Sequence, residues 1–124
     1  MTDDKKRVLV IDDEEIVRIS CRRALSPEGF EVDVAEDGLQ GLSLLRDRGY
    51  DVVLTDLKMP NMDGMEVLEH IKDVRPEAKV IVITGYSTVE TAVKAIKMGA
   101  FNYVEKPFTP DALVQAVREA LDDS

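Results

Sequence analysis

The chain has 124 residues, the length of one domain, and its 16 basic against 25 acidic residues leave a net charge of −9. That balance argues against a nucleic-acid-binding surface, which needs clustered Lys and Arg to neutralise phosphates. A single cysteine, Cys21, forbids an internal disulfide and fits a reducing, cytoplasmic setting; no apolar run approaches the roughly 18 residues of a membrane span.

Residues 8–11 form a continuous apolar run that ends at Asp12-Asp13. From Glu14 the period changes: Val17, Cys21, Ala24 and Leu25 share one helix face, and Ser26-Pro27-Glu28-Gly29 stops the helix. Val32 and Val34 then alternate with Glu31 and Asp33, as in a half-exposed strand. Leu42 and Leu45 mark a second helix, with Gly49 expected as its left-handed cap. Residues 52–54 are a second continuous run, ending at Thr55-Asp56, and Met59-Pro60-Asn61-Met62-Asp63-Gly64 is turn chemistry. Val67, Ile71 and Val74 mark a third helix that ends before Pro76. Residues 80–83 form the third continuous run, ending at Thr84-Gly85. Ser87 and Glu90 predict a capping box, and Val89, Ala92, Val93 and Ile96 a helix stripe closed by Gly99. Residues 101–105 read as a mixed strand ending at Lys106-Pro107. Thr109 is placed to cap a last helix with Pro110 at its first position, and Leu113, Val117, Ala120 and Leu121 form its buried face.

Strands that alternate with helices predict an α/β fold with a doubly wound parallel sheet and helices on both faces. Continuous apolar strands are buried on both sides, whereas alternating or mixed ones lie near solvent. The first, third and fourth strands are therefore central and the second and fifth are edges. This favours a five-stranded, flavodoxin-like sheet in the order 2-1-3-4-5. In that order the winding reverses between the first and third strands, and a crevice opens at their carboxyl ends.

Asp12 and Asp13, Asp56, Thr84 and Lys106 each lie at the end of a strand, so all converge on that crevice. Any one of them alone is ordinary turn, cap or surface chemistry. Their convergence is not a requirement of folding. Two carboxylates 4 Å apart at an effective dielectric near 20 repel by about 4 kcal/mol, so such a cluster takes up protons or a cation. An all-oxygen site with room for water suits Mg2+ better than a full Ca2+ cage, and no Cys or His lies nearby in the pattern to recruit zinc.

Together Asp12-Asp13-Glu14 after the first strand, Thr55-Asp56-Leu57-Lys58-Met59-Pro60, Met62-Asp63-Gly64, Ile83-Thr84-Gly85 and Lys106-Pro107-Phe108 resemble the receiver domain of two-component response regulators. The resemblance covers essentially the whole chain, so residues 1–124 read as a single receiver domain. The runs from Gly85 to Ala92 and from Met98 to Tyr103 resemble in particular the receivers of nitrogen-regulator-type transcription activators.

The resemblance implies that Asp56 is the phosphoacceptor for a sensor histidine kinase or a small acyl phosphate. It implies Mg2+ held by Asp12, Asp13 or both, with Asp56 and the backbone carbonyl of Lys58. Lys106 would pair with the carboxylate and then with a phosphoryl oxygen, after a cis bond to Pro107. Thr84 and Tyr103 would carry the switch to a readout face on the fourth helix, fifth strand and fifth helix. An output domain or downstream protein and a homodimer on phosphorylation follow by the same analogy, as does a phosphoacceptor rather than a turnover enzyme. Lys58, two after Asp56, and Tyr86, two after Thr84, would flank the path a water takes to the phosphoryl group, and the bulk of Tyr86 would then slow self-dephosphorylation. His70, Cys21, Met59, Met62, Met65 and the Asp122-Asp123 tail are given no chemical role, and Arg22-Arg23 reads as a solvated face. The competing readings are a Mg2+-dependent aspartyl phosphohydrolase of the haloacid-dehalogenase type, a flavodoxin, and a receiver serving as a constitutive scaffold. Asp56-Leu57-Lys58 lacks the second Asp the first would use as general acid, and Asp12-Asp13-Glu14 would repel the phosphate of a flavin.

Overall fold

A computed structural model describes residues 5–59, 62–85 and 88–122. Its strands are β1 (Arg7–Ile11), β2 (Glu31–Ala35), β3 (Val52–Thr55), β4 (Lys79–Thr84) and β5 (Asn102–Glu105). They form one parallel sheet in the order β2-β1-β3-β4-β5, with the expected edges and reversal. The helices are α1 (Glu15–Leu25), α2 (Gly38–Asp47), α3 (Gly64–Val74), α4 (Val89–Lys97) and α5 (Pro110–Asp122), and a short turn of 3-10 helix, Ser26–Glu28, follows α1.

The continuous apolar runs are explained by the pleat, which sends successive side chains to opposite faces. Leu9, Ile11, Val53, Val80 and Val82 face one way, into a core closed by Leu42 and Leu45 of α2 and Leu68 and Ile71 of α3. Val8, Val10, Leu54, Ile81 and Ile83 face the other, against Val17, Cys21 and Leu25 of α1 and Leu113 and Val117 of α5. Each central strand meets a helix layer on both sides, so neither of its faces has a polar position to spare.

Two local expectations need correction. Gly49 is not a left-handed cap: α2 ends at Arg48 in extended backbone, and the positive-φ glycines among the described residues are Gly29 and Gly99. The capping box of α4 belongs to Thr88 and Thr91, not to Ser87 and Glu90; Thr88 Oγ1 accepts from the Thr91 N–H at 3.0 Å, and the Thr88 N–H donates to Thr91 Oγ1 at 3.1 Å. Ser87 itself lies outside the described residues. The stripe of α4 is real but uncovered: Val89, Val93 and Ile96 are all exposed, and only Ala95 of that helix is fully buried. Thr109 caps α5 as expected, accepting from the Ala112 N–H at 3.1 Å.

Candidate functional site

The carboxyl ends of the strands are fixed by the backbone before any side chain is considered. Asp12, Asp56 and Lys106 each stand one residue beyond their strand and continue the ladder by one bond. The Asp12 N–H donates to Ala35 O (3.1 Å), that of Asp56 to Ile11 O (3.1 Å) and that of Lys106 to Thr84 O (3.0 Å). The positions of these side chains are thus inherited from the register of the sheet.

An open cleft of about 750 Å³ lies over this edge, lined by Asp13, Glu14, Asp56, Lys58 and Lys106 with Met59 and Gly85. Asp56 is buried at its floor. Its two oxygens are treated differently: Oδ1 accepts the Lys58 backbone N–H at 3.1 Å, and Oδ2 accepts from Lys106 Nζ at 2.8 Å. Lys106 Nζ also lies 2.9 Å from Asp12 Oδ2 and donates to Glu14 Oε1 at 2.8 Å. Burial by itself would pull the ammonium's pKa down; its contacts with the carboxylates of Asp56, Glu14 and Asp12 outweigh it and hold Lys106 charged well above the usual lysine range. The Lys106–Pro107 peptide is cis, as the resemblance implied.

Asp12 is the most enclosed acid of the cluster. Burial raises its pKa above the ordinary carboxylate value, against the opposing effects of the Glu14 backbone N–H and Lys106. Oδ1 accepts that N–H at 2.9 Å, while the buried Oδ2 has no hydrogen bond and rests on the charge of Lys106 alone. Oxygen atoms of Asp12, Asp13 and Asp56 lie within 4.8 Å of one another. A buried carboxylate oxygen without a hydrogen bond, in an all-oxygen set of this spacing, fits a hard divalent cation.

Thr84 is fully buried at the end of β4 beside the cleft. Tyr103, half-buried on β5, reaches the first turn of α4, where its hydroxyl lies 3.1 Å from Thr91 Oγ1. Tyr86 lies outside the described residues. His70 is exposed on α3, Cys21 is packed in the core with its thiol pushed up to about 12 by burial, and Met59, Met62 and Met65 pack with the α2–α3 core.

Two contributors escaped the sequence reading. Glu14 takes a place on Lys106, 92 residues away. Arg18 donates to the Asp12 backbone carbonyl at 2.8 Å and so braces the turn that carries Asp12 and Asp13. The acidic run pointed to Glu14 only in part, and nothing in the local sequence singles out Arg18, whose partner is a backbone carbonyl outside its helix.

The family model described as the response regulator receiver domain matches residues 8–118. Regulatory protein AtoC of Escherichia coli is 44% identical over 93% of this chain, which spans 25% of that protein. A receiver domain protein of Methanospirillum hungatei superposes with a TM-score of 0.93 at 35% identity, covering 97% of this chain and 96% of that one. The beryllofluoride-activated receiver domain dimer of NtrC4 superposes with a TM-score of 0.90 at 38% identity, covering 94% and 97%. The chain spans about a quarter of the length of the curated relatives it matches.

Proposed function

This chain belongs to the response regulator receiver family, in the company of nitrogen-regulator-type activators, and from that premise we propose that Asp56 accepts a phosphoryl group from a sensor histidine kinase. The observation that carries the proposal is the setting of Asp56. A buried carboxylate at the floor of an open cleft has one oxygen on an ammonium and the other on a backbone N–H, with Asp12 and Asp13 alongside. One Asp56 oxygen attacks phosphorus, forming an O–P bond, as the N–P bond of the phosphohistidine breaks and its nitrogen leaves with the electron pair. Asp12, Asp13 and Asp56, with the backbone carbonyl of Lys58, would hold Mg2+; bound there, the cation offsets charge on the transferring group and helps to align it. Lys106 pairs with the Asp56 carboxylate before transfer and takes a phosphoryl oxygen as a partner after it, acting as a point charge.

Thr84 is the hydroxyl that donates to the new phosphoryl oxygen, and Tyr103 transmits the change toward α4, β5 and α5. The link from the Tyr103 hydroxyl to Thr91 in α4 supports that route. The length of the curated relatives supports an output domain that regulates transcription, and the NtrC4 receiver dimer supports homodimerisation on phosphorylation. On this reading the chain is a cytoplasmic receiver that accepts phosphate rather than turning over substrate and makes no direct contact with nucleic acid; among the described residues no helix is long and apolar enough to cross a membrane.

Intact mass after incubation with acetyl phosphate tests the proposal. One added phosphoryl group is expected on the native chain with Mg2+, and none without the cation or in Asp56→Ala. An adduct that survives Asp56→Ala would overturn the assignment.

A further inference from the structure

We infer that Glu14 is a positioning residue that keeps Lys106 occupied until a phosphoryl oxygen replaces it, an inference that rests on the reading of Asp56 as phosphoacceptor. A lysine ammonium has three N–H donors and accepts nothing. Here it is shared by three carboxylates: Asp56 and Glu14 accept from it at 2.8 Å, and Asp12 lies 2.9 Å away. A phosphoryl oxygen arriving on Asp56 competes for the same nitrogen, so one of these contacts must yield.

The three differ in what release entails. The Asp12 and Asp56 side chains are 0% and 5% exposed, and withdrawing the ammonium from either before the O–P bond has formed leaves a buried carboxylate short of its counter-charge. The Glu14 side chain is 54% exposed, so its carboxylate passes directly into water. Glu14 is therefore the contact that gives way. Only its side chain has to move, because its backbone N–H is pinned to Asp12 Oδ1 at 2.9 Å.

The helix supplies an independent argument. Glu14 occupies the N-cap of α1, a position whose side chain ordinarily accepts from the first-turn N–H groups. Its side chain makes no such bond. The carboxylate is turned across the cleft to Lys106 instead, so capping of α1 does not account for it. Nor does it belong to the carboxylate cluster that could hold a cation, which is Asp12, Asp13 and Asp56.

The test compares adduct formation and decay, with acetyl phosphate and Mg2+, in the native chain, Glu14→Gln and Glu15→Gln. In the reaction an Asp56 oxygen bonds to phosphorus as the acyl O–P bond breaks, and acetate leaves with the electron pair. Glu15 is an exposed acid of the same helix that takes no part in the Lys106 contacts. Losing an exposed ion pair from the starting state should speed formation about 2- to 5-fold in Glu14→Gln. The decay rate should not change, because Glu14 has already left Lys106 in the phosphorylated form. Glu15→Gln should match the native chain in both. A formation rate unchanged or slowed in Glu14→Gln would overturn the inference and leave the phosphoacceptor reading standing. So would a matching change in decay, or the same effect from Glu15→Gln, either of which would mark a general charge effect. A native chain that forms no adduct would overturn both.

Discussion

Asp12 combines full burial, a raised pKa and an oxygen that no hydrogen bond satisfies. A raised pKa means that the folded state binds the proton more tightly than the unfolded chain does. The stability it contributes is complete below the ordinary value of 3.8 and is lost as pH rises through the folded-state value. At neutral pH the ionised carboxylate therefore opposes folding unless a cation joins it. Asp12→Asn, which keeps the shape and removes the charge, should raise the Tm of the metal-free protein by about 4 °C, the effect of roughly 1 kcal/mol in a domain of this size. It should also abolish stabilisation by Mg2+, and scanning calorimetry with and without the cation measures both. A lower Tm in the metal-free variant would show that Asp12 is a net structural asset. This acid was legible in the sequence because it ends a buried strand. Glu14 was not, because its partner is decided by a side chain reaching across the cleft, and nothing local in the chain encodes that reach.

The elements around the cleft divide into those whose sequence carries their role and those whose role depends on neighbours. The turn before α3 belongs to the first kind. A Cβ on Gly64 would stand 2.2 Å from Leu57 Cα and 2.5 Å from its carbonyl oxygen, and the Gly64 N–H donates to that oxygen at 3.1 Å. The obstacle is backbone, so it cannot rotate aside. Gly64→Ala should cost about 1–3 kcal/mol, read from the shift of a urea transition, because the strand-end loop that leads to Lys58 must move. A loss under half that range would mean the loop relaxes freely. Strand order was also readable, since a strand covered on both faces differs in composition from one covered on a single face. The face of α4 was not. Periodicity identifies an apolar stripe, but whether another layer covers it depends on the rest of the fold, and here Val89, Val93 and Ile96 remain exposed. The shift of the α4 cap from Ser87 to Thr88 has a similar origin: Thr91 at the third helical position does locally what Glu90 was expected to do.

At the scale of the whole molecule, the chemistry and its proposed readout are anchored very differently. Asp12, Asp56 and Lys106 are tied into the sheet ladder through their own N–H groups. On the other side, α4 buries Ala95 fully and no other residue, whereas α1, α2, α3 and α5 each bury four or more. Local openings in a folded protein require the least free energy where buried apolar contacts are fewest. In deuterium exchange, the amides of α4 should exchange through small openings, while those of Asp12, Asp56 and Lys106 should exchange only with global unfolding. Equal protection of the two sets would refute this division. The division also bears on how a message leaves the cleft. A reporter element held by so little needs only a slight tilt in its opening equilibrium to change what it shows to solvent. One charged group added at the sheet edge could supply that tilt while the residues that receive it stay locked in place.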